Sequence, residues 1–141
     1  MKAFQRVMFL ASATLISSTV FASGIDDAKG LWLTAEKDAV IEVKVCPDKA
    51  GGICGKIVWD REAGTATDTC GVQIAQLSHY DNEAWRDGWI YDPRDKKKYK
   101  GTIRVKDGVL TIRAYIGMEM LGEDEQLTHV AAIPTTPACS S

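Results

Sequence analysis

At 141 residues the chain has room for one domain, and 45% hydrophobic with 26% charged residues is a globular balance rather than a disordered one. Its 17 basic residues against 19 acidic give a net charge of −2, which argues against a general nucleic-acid binder or a protein held to anionic membranes.

The first segment is not read as fold. Met1–Arg6 carries Lys2 and Arg6, Val7–Phe21 is apolar and free of charge, and Val20-Phe21-Ala22 offers small residues where a signal peptidase cuts. This predicts a secretory signal peptide over residues 1–22 and a single mature domain over residues 23–141. A membrane anchor is the rival reading. The run is short for a span and rich in Ser and Thr, and no transmembrane span is expected once it is removed. Ser23, not Cys, follows the cut, so a lipoprotein start is not expected. Without Lys2 and Arg6 the mature chain carries 15 basic residues against 19 acidic, a net charge of −4.

Strands follow in short order. Gly30–Thr34 opens the first. Ala39–Val45 is the second, with Ile41, Val43 and Val45 on one face. Ile53–Trp59 is the third, with Ile53, Gly55, Ile57 and Trp59 on one face. Asp60–Thr69 is a polar loop. Cys70–Ser78 reads as a strand, although Val72, Ala75 and Gln76 also fit a helical turn. His79–Glu83 reads as a turn, with His79 exposed. Trp85–Asp92 leads through the Asp92–Lys96 turn into the clearest stretch of the chain. There Tyr99, Gly101, Ile103 and Val105 alternate with Lys98, Lys100, Thr102, Arg104 and Lys106. Period two with one apolar and one charged face is a half-buried strand. Asp107-Gly108 suits a tight type I′ turn, and Leu110, Ile112, Ala114 and Ile116 continue the apolar face. Gly101 marks a bend of the kind a closing sheet needs. Gly117–Glu125 reads as an acidic, solvated loop, and Gln126–Ile133 as the last strand. The result is an all-β chain of about eight strands joined by sequential hairpins. The architecture expected is a small antiparallel up-and-down β-barrel, which leaves no free sheet edge.

Four cysteines lie in the mature part, and an even number in an exported chain reads as disulfides. Cys46 and Cys54 flank the turn of one hairpin and are the favoured pair, which leaves Cys70 with Cys139. Loop entropy alone assigns the long loop about 4 kcal/mol and the short one about 2.5 kcal/mol. Zinc is the alternative, but there is no Cys-x-x-Cys pair and His79 and His129 have no ligand spacing, so no metal is expected.

Several landmarks then coincide. They are Gly30-x-Trp32, Cys54-Gly55-Lys56-Ile57-Val58-Trp59, Trp85-x-x-Gly88-x-Ile90-Tyr91-Asp92-Pro93, Tyr99 after a lysine run, and Leu121-Gly122. Together they resemble the domain of unknown function 2147 family of exported bacterial proteins, from Gly30 to about Val130. The resemblance implies a lipocalin-like barrel in the periplasm or outside the cell. It implies no established activity; no cofactor is expected. Gly30-x-Trp32 also looks like the first-strand signature of lipocalins, in which the Trp packs at the barrel floor beside a basic residue of the last strand. Family members carry Trp-x-Arg there, whereas Leu127 and His129 stand at the matching positions. An imidazole is not a permanent cation, so the floor contact between Trp32 and His129 is not expected to be a cation–π pair.

No catalytic constellation emerges, and an enzyme is not expected. There is no Gly-x-Ser-x-Gly elbow. Neighbouring Ser78 and His79 point apart on a strand, and Asp92 and Asp95 read as turn chemistry. Lys96, Lys97, Lys98 and Lys100 make a basic hairpin tip that either catches an anionic headgroup or guards a strand edge. An eight-stranded barrel either fills itself or holds one small ligand. The candidate pocket residues are Trp59, Tyr91, Tyr99 and Arg113, and the expected partner is a small apolar or amphipathic ligand. The alternative is an envelope interaction protein with a filled barrel.

Overall fold

The computed structural model describes residues 24–140; the predicted signal segment lies outside the described residues. Eight strands follow in order: β1 Gly30–Thr34, β2 Ala39–Val45, β3 Ile53–Asp60, β4 Gln73–Asp81, β5 Ala84–Asp92, β6 Lys97–Lys106, β7 Val109–Tyr115 and β8 Glu123–His129. A single 3₁₀ turn, Glu119–Leu121, precedes β8. Each strand pairs antiparallel with the next, and β8 returns to β1, so the sheet closes into an up-and-down barrel. Among the described residues no helix is long and apolar enough to cross a membrane.

The tight turns carry the expected chemistry. Asp107 and Gly108 both take positive φ, 52° and 77°, as a type I′ turn requires. Asn82 and Glu83 do the same between β4 and β5, at 50° and 58°. That second turn shifts an expected boundary: β4 spans Gln73–Asp81 rather than Cys70–Ser78, and His79 is exposed within the strand rather than in a turn. The chain is still turning at Gly71, with φ 80° and Val72 N–H donating to the Thr69 carbonyl. β8 is also displaced towards the N-terminus. Glu123–Glu125, read as loop, are strand, because Asp124 lies opposite Arg113 and their side chains meet at 2.6 Å.

The two disulfides join Cys46 to Cys54 and Cys70 to Cys139. The first staples the β2–β3 hairpin. The second ties the C-terminal tail to the start of β4, beyond the last bond of the β1–β8 seam, Val130 N–H to the Leu31 carbonyl.

In an up-and-down barrel alternate connections share an end. The β2–β3, β4–β5 and β6–β7 turns lie with the N-terminal lead-in at one end, here the floor. The β1–β2, β3–β4, β5–β6 and β7–β8 connections lie at the other, the mouth. Side chains pack the floor half solidly: Trp32, Val43, Ile53, Leu77, Trp85, Ile103, Leu110 and Leu127 are 0–3% exposed. Gly101 makes that closure possible, since a Cβ there would stand 2.1 Å from Ile90 Cγ1. Any larger residue would drive two strands apart.

Candidate ligand-binding site

The floor is sealed from below by the lead-in. Trp32 Nε1–H donates to the Ala28 carbonyl at 2.9 Å, and Trp85 Nε1–H to the Ile25 carbonyl at 3.3 Å. Both rings are buried, and Ala28 beneath them is 2% exposed. Trp32 and His129 are register partners, with ring centroids 5.5 Å apart at 86°. The two rings meet edge to face.

Above this plug the barrel is hollow. A cavity of about 1110 Å³ opens towards the mouth. Its apolar wall includes Ile41, Ile57, Ile74, Ile90 and Ile112, one from each of five strands. These five are 4–7% exposed, against 0–3% for the layer below. The interior is therefore neither filled nor empty: its lower half is core and its upper half a cup.

The rim has the opposite chemistry. Glu36 and Asp38 come from the β1–β2 connection, Asp60 and Glu62 from the end of β3 and the loop after it, Asp92, Arg94 and Asp95 from the end of β5 and the turn after it, and Glu123–Glu125 from the start of β8. Register places Glu125 opposite Ile112 and Leu127 opposite buried Leu110, so Glu125 stands on the inward face, two residues above the floor layer. Burial pushes the Glu125 carboxyl up; Arg94 opposes this, and the carboxylates of Asp92, Asp38 and Glu36 add to the rise. Two other acids of the rim are better supplied. Burial works against Asp60, but it accepts from the Thr69 hydroxyl and from the Thr69 and Glu62 amides, which hold it below its ordinary value. Asp92 is likewise held down, against burial, by Arg94, whose Nε lies 3.2 Å and backbone N 2.9 Å from Oδ1.

The four residues singled out for the pocket part company. Tyr91 and Tyr99 belong to the cavity wall. The Tyr99 hydroxyl is 3.3 Å from Asp95, and desolvation and then the nearby carboxylates push it up. Trp59 is not in the wall. A β-bulge pairs Val40 with Trp59 but Ile41 with Ile57, which throws Trp59 onto the face opposite Ile57. There it is 8% exposed, and its Nε1–H has no hydrogen-bond partner among the described residues. Arg113 faces outward, opposite in parity to Ile112. It donates to the Glu119 and Met120 carbonyls at 2.7 and 3.0 Å and pairs with Asp124, pinning the β7–β8 loop to the barrel wall. Arg86 and Arg104 hold the Glu119 carboxylate from the same side, at 2.8 and 3.7 Å. A second hollow of about 530 Å³ lies there, outside the barrel, lined by Thr102, Arg104, Arg113 and Glu119. The lysine tip is an outer-surface feature, with Lys98 Nζ 4.3 Å above the Trp89 ring.

Sequence reasoning missed the isoleucine layer and the inward acids. One signal for them existed. In an up-and-down barrel the first, third, fifth and seventh connections meet at one end, and they carry Glu36, Asp38, Glu62, Asp68, Asp95 and Glu119 against Asp48, Glu83 and Asp107 at the other.

Comparison with known proteins agrees with this fold. The family model described as "Uncharacterized protein conserved in bacteria (DUF2147)" matches residues 30–129. Among solved structures the chain is similar to protein HP1028 from the human pathogen Helicobacter pylori, described as belonging to the lipocalin family. The two share 11% identity with a TM-score of 0.53, covering 74% of this chain and 83% of that one. No curated protein matches the chain by sequence.

Proposed function

The chain belongs to the bacterial DUF2147 family, and we propose that it is an exported binding protein that holds one small apolar or amphipathic molecule in the calyx. The observation that carries this reading is the blind cavity of about 1110 Å³, apolar below and polar at its rim. Binding sites for small molecules have this form, concave and mostly apolar with a few placed polar groups. Among the described residues the wall offers carboxylates, tyrosines and isoleucines and no Ser, His, Cys or Lys, which suits holding a molecule better than transforming one. Export to the periplasm or beyond is supported by the signal-like first 22 residues and by four cysteines joined in two disulfides.

Native mass spectrometry of protein purified from its own envelope tests the reading directly. The expected result is a retained small molecule whose return to stripped protein raises the melting temperature. Protein of bare mass, with no thermal shift across a panel of apolar and amphipathic compounds, would sink it. The second reading, an envelope interaction protein, draws on Ile116, Met118, Met120 and Leu121, all 60–76% exposed on the β7–β8 loop. Cross-linking in the envelope that captures a partner through this loop, with no retained small molecule, would favour it.

A further inference from the structure

We propose that the calyx selects an amphiphile whose polar end is a cation, such as an alkylamine or an alkyl quaternary ammonium. The inference rests on the calyx being a ligand site and adds the class of ligand.

An acidic rim by itself would be a solvated surface. Here it stands over an apolar cup open at the mouth, and the charge balance is one-sided. Nine carboxylate residues line the cavity, one of them, Asp124, paired with Arg113, and among the described residues Arg94 is the one cationic residue of that wall. Arg94 is already engaged by Asp92 and reaches Glu125 only at 3.9 Å. Glu36 and Glu123 have no ion pair among the described residues, and Glu125 points inward above the apolar layer. A cation entering the mouth would relieve this field, whereas a carboxylate or phosphate head would meet it. The low-dielectric wall beneath focuses the potential. Tyr91, Tyr99 and Tyr115 border the same space, and aromatic faces complement a weakly hydrated ammonium. The isoleucines below are placed for the alkyl tail. The two halves of the cavity thus recognise the two halves of one molecule.

Calorimetry on the mature chain with both disulfides intact tests this, using decyltrimethylammonium, decyl maltoside and decanoate below their micellar concentrations. One tail length with three heads separates the two levels of the reading. The expected order is cationic, then neutral, then anionic, with the cationic head about fivefold to tenfold tighter than the neutral one at low salt. Raising the salt should shrink that gap. Glu125→Gln should lower affinity for the cation and leave that for the maltoside unchanged. Glu36→Gln should act in the same direction and serves as the second variant. Glu83→Gln, in the turn at the floor end, changes net charge equally and should leave the preference intact. Equal binding of all three heads, or a preference for decanoate, overturns the cationic inference and leaves the calyx standing. Binding of none of them overturns both. A loss with Glu83→Gln as large as with Glu125→Gln would show attraction by net charge alone and would overturn the inference.

Discussion

Trp32 is the residue whose replacement most directly tests the half-filled barrel. It is 3% exposed, donates to the Ala28 carbonyl at 2.9 Å, and meets the His129 ring edge-to-face at 5.5 Å. Trp32→Phe keeps an aromatic ring but leaves that carbonyl without its partner, which costs about 1–3 kcal/mol. The smaller ring adds a gap worth roughly 1 kcal/mol. The expected loss is therefore about 2–4 kcal/mol, or ~10 °C in melting temperature for a barrel of this size. Trp32→Ala removes the ring as well and should cost at least about 3–5 kcal/mol. A double-mutant cycle with His129→Ala isolates the ring contact, at about 0.5–1.5 kcal/mol. Urea unfolding with the disulfides intact measures all three. Hydrogen exchange at Ala28, which is 2% exposed, should rise in both Trp32 variants as the lead-in detaches. A Trp32→Phe cost below about 0.5 kcal/mol, or no coupling to His129, would refute the account of the floor as a packed and hydrogen-bonded plug.

Two further predictions come from the staples and the rim. Replacing Cys70 and Cys139 by Ser frees a loop of 69 residues and should cost more than replacing Cys46 and Cys54, which close 8. Loop entropy puts the costs at about 4 and 2.5 kcal/mol. Unfolding midpoints in the reverse order would show that the tail contributes nothing once the chain is folded. The pH dependence should have two opposing parts. Asp60 and Asp92 have depressed folded values, so their stabilisation is complete above the ordinary aspartate range and is lost as pH falls through those depressed values. Glu125 has a raised value, so its contribution is complete below the ordinary glutamate range and is lost as pH rises through the raised value. Glu125→Gln should therefore raise the midpoint at pH 7 and leave it unchanged near pH 4. An equal shift at both would remove the carboxyl's charge as the cause.

Much of the fold was written locally. Period two along Tyr99–Val105 and Leu110–Ile116, Asp107-Gly108 between them and paired cysteines around a hairpin turn each rest on neighbours a few residues apart, which is why eight strands and their order were legible. The ends of β4 and β8 were not, because polar His79 and Glu123–Glu125 resemble loop until their cross-strand partners are known.

The candidate site divides along the same line. Residue type and place on the strands pointed to Trp59, Tyr91, Tyr99 and Arg113, although parity set Tyr91 opposite Ile90 and Arg113 opposite Ile112. Only the closed barrel decided the rest. A one-residue bulge moved Trp59 off the inner face, and strand tops far apart in the chain gathered five isoleucines under a ring of acids. Alternation is a property of the backbone, readable within a few residues. A cavity is the volume left over when eight strands have finished packing, and no single segment of the chain contains it.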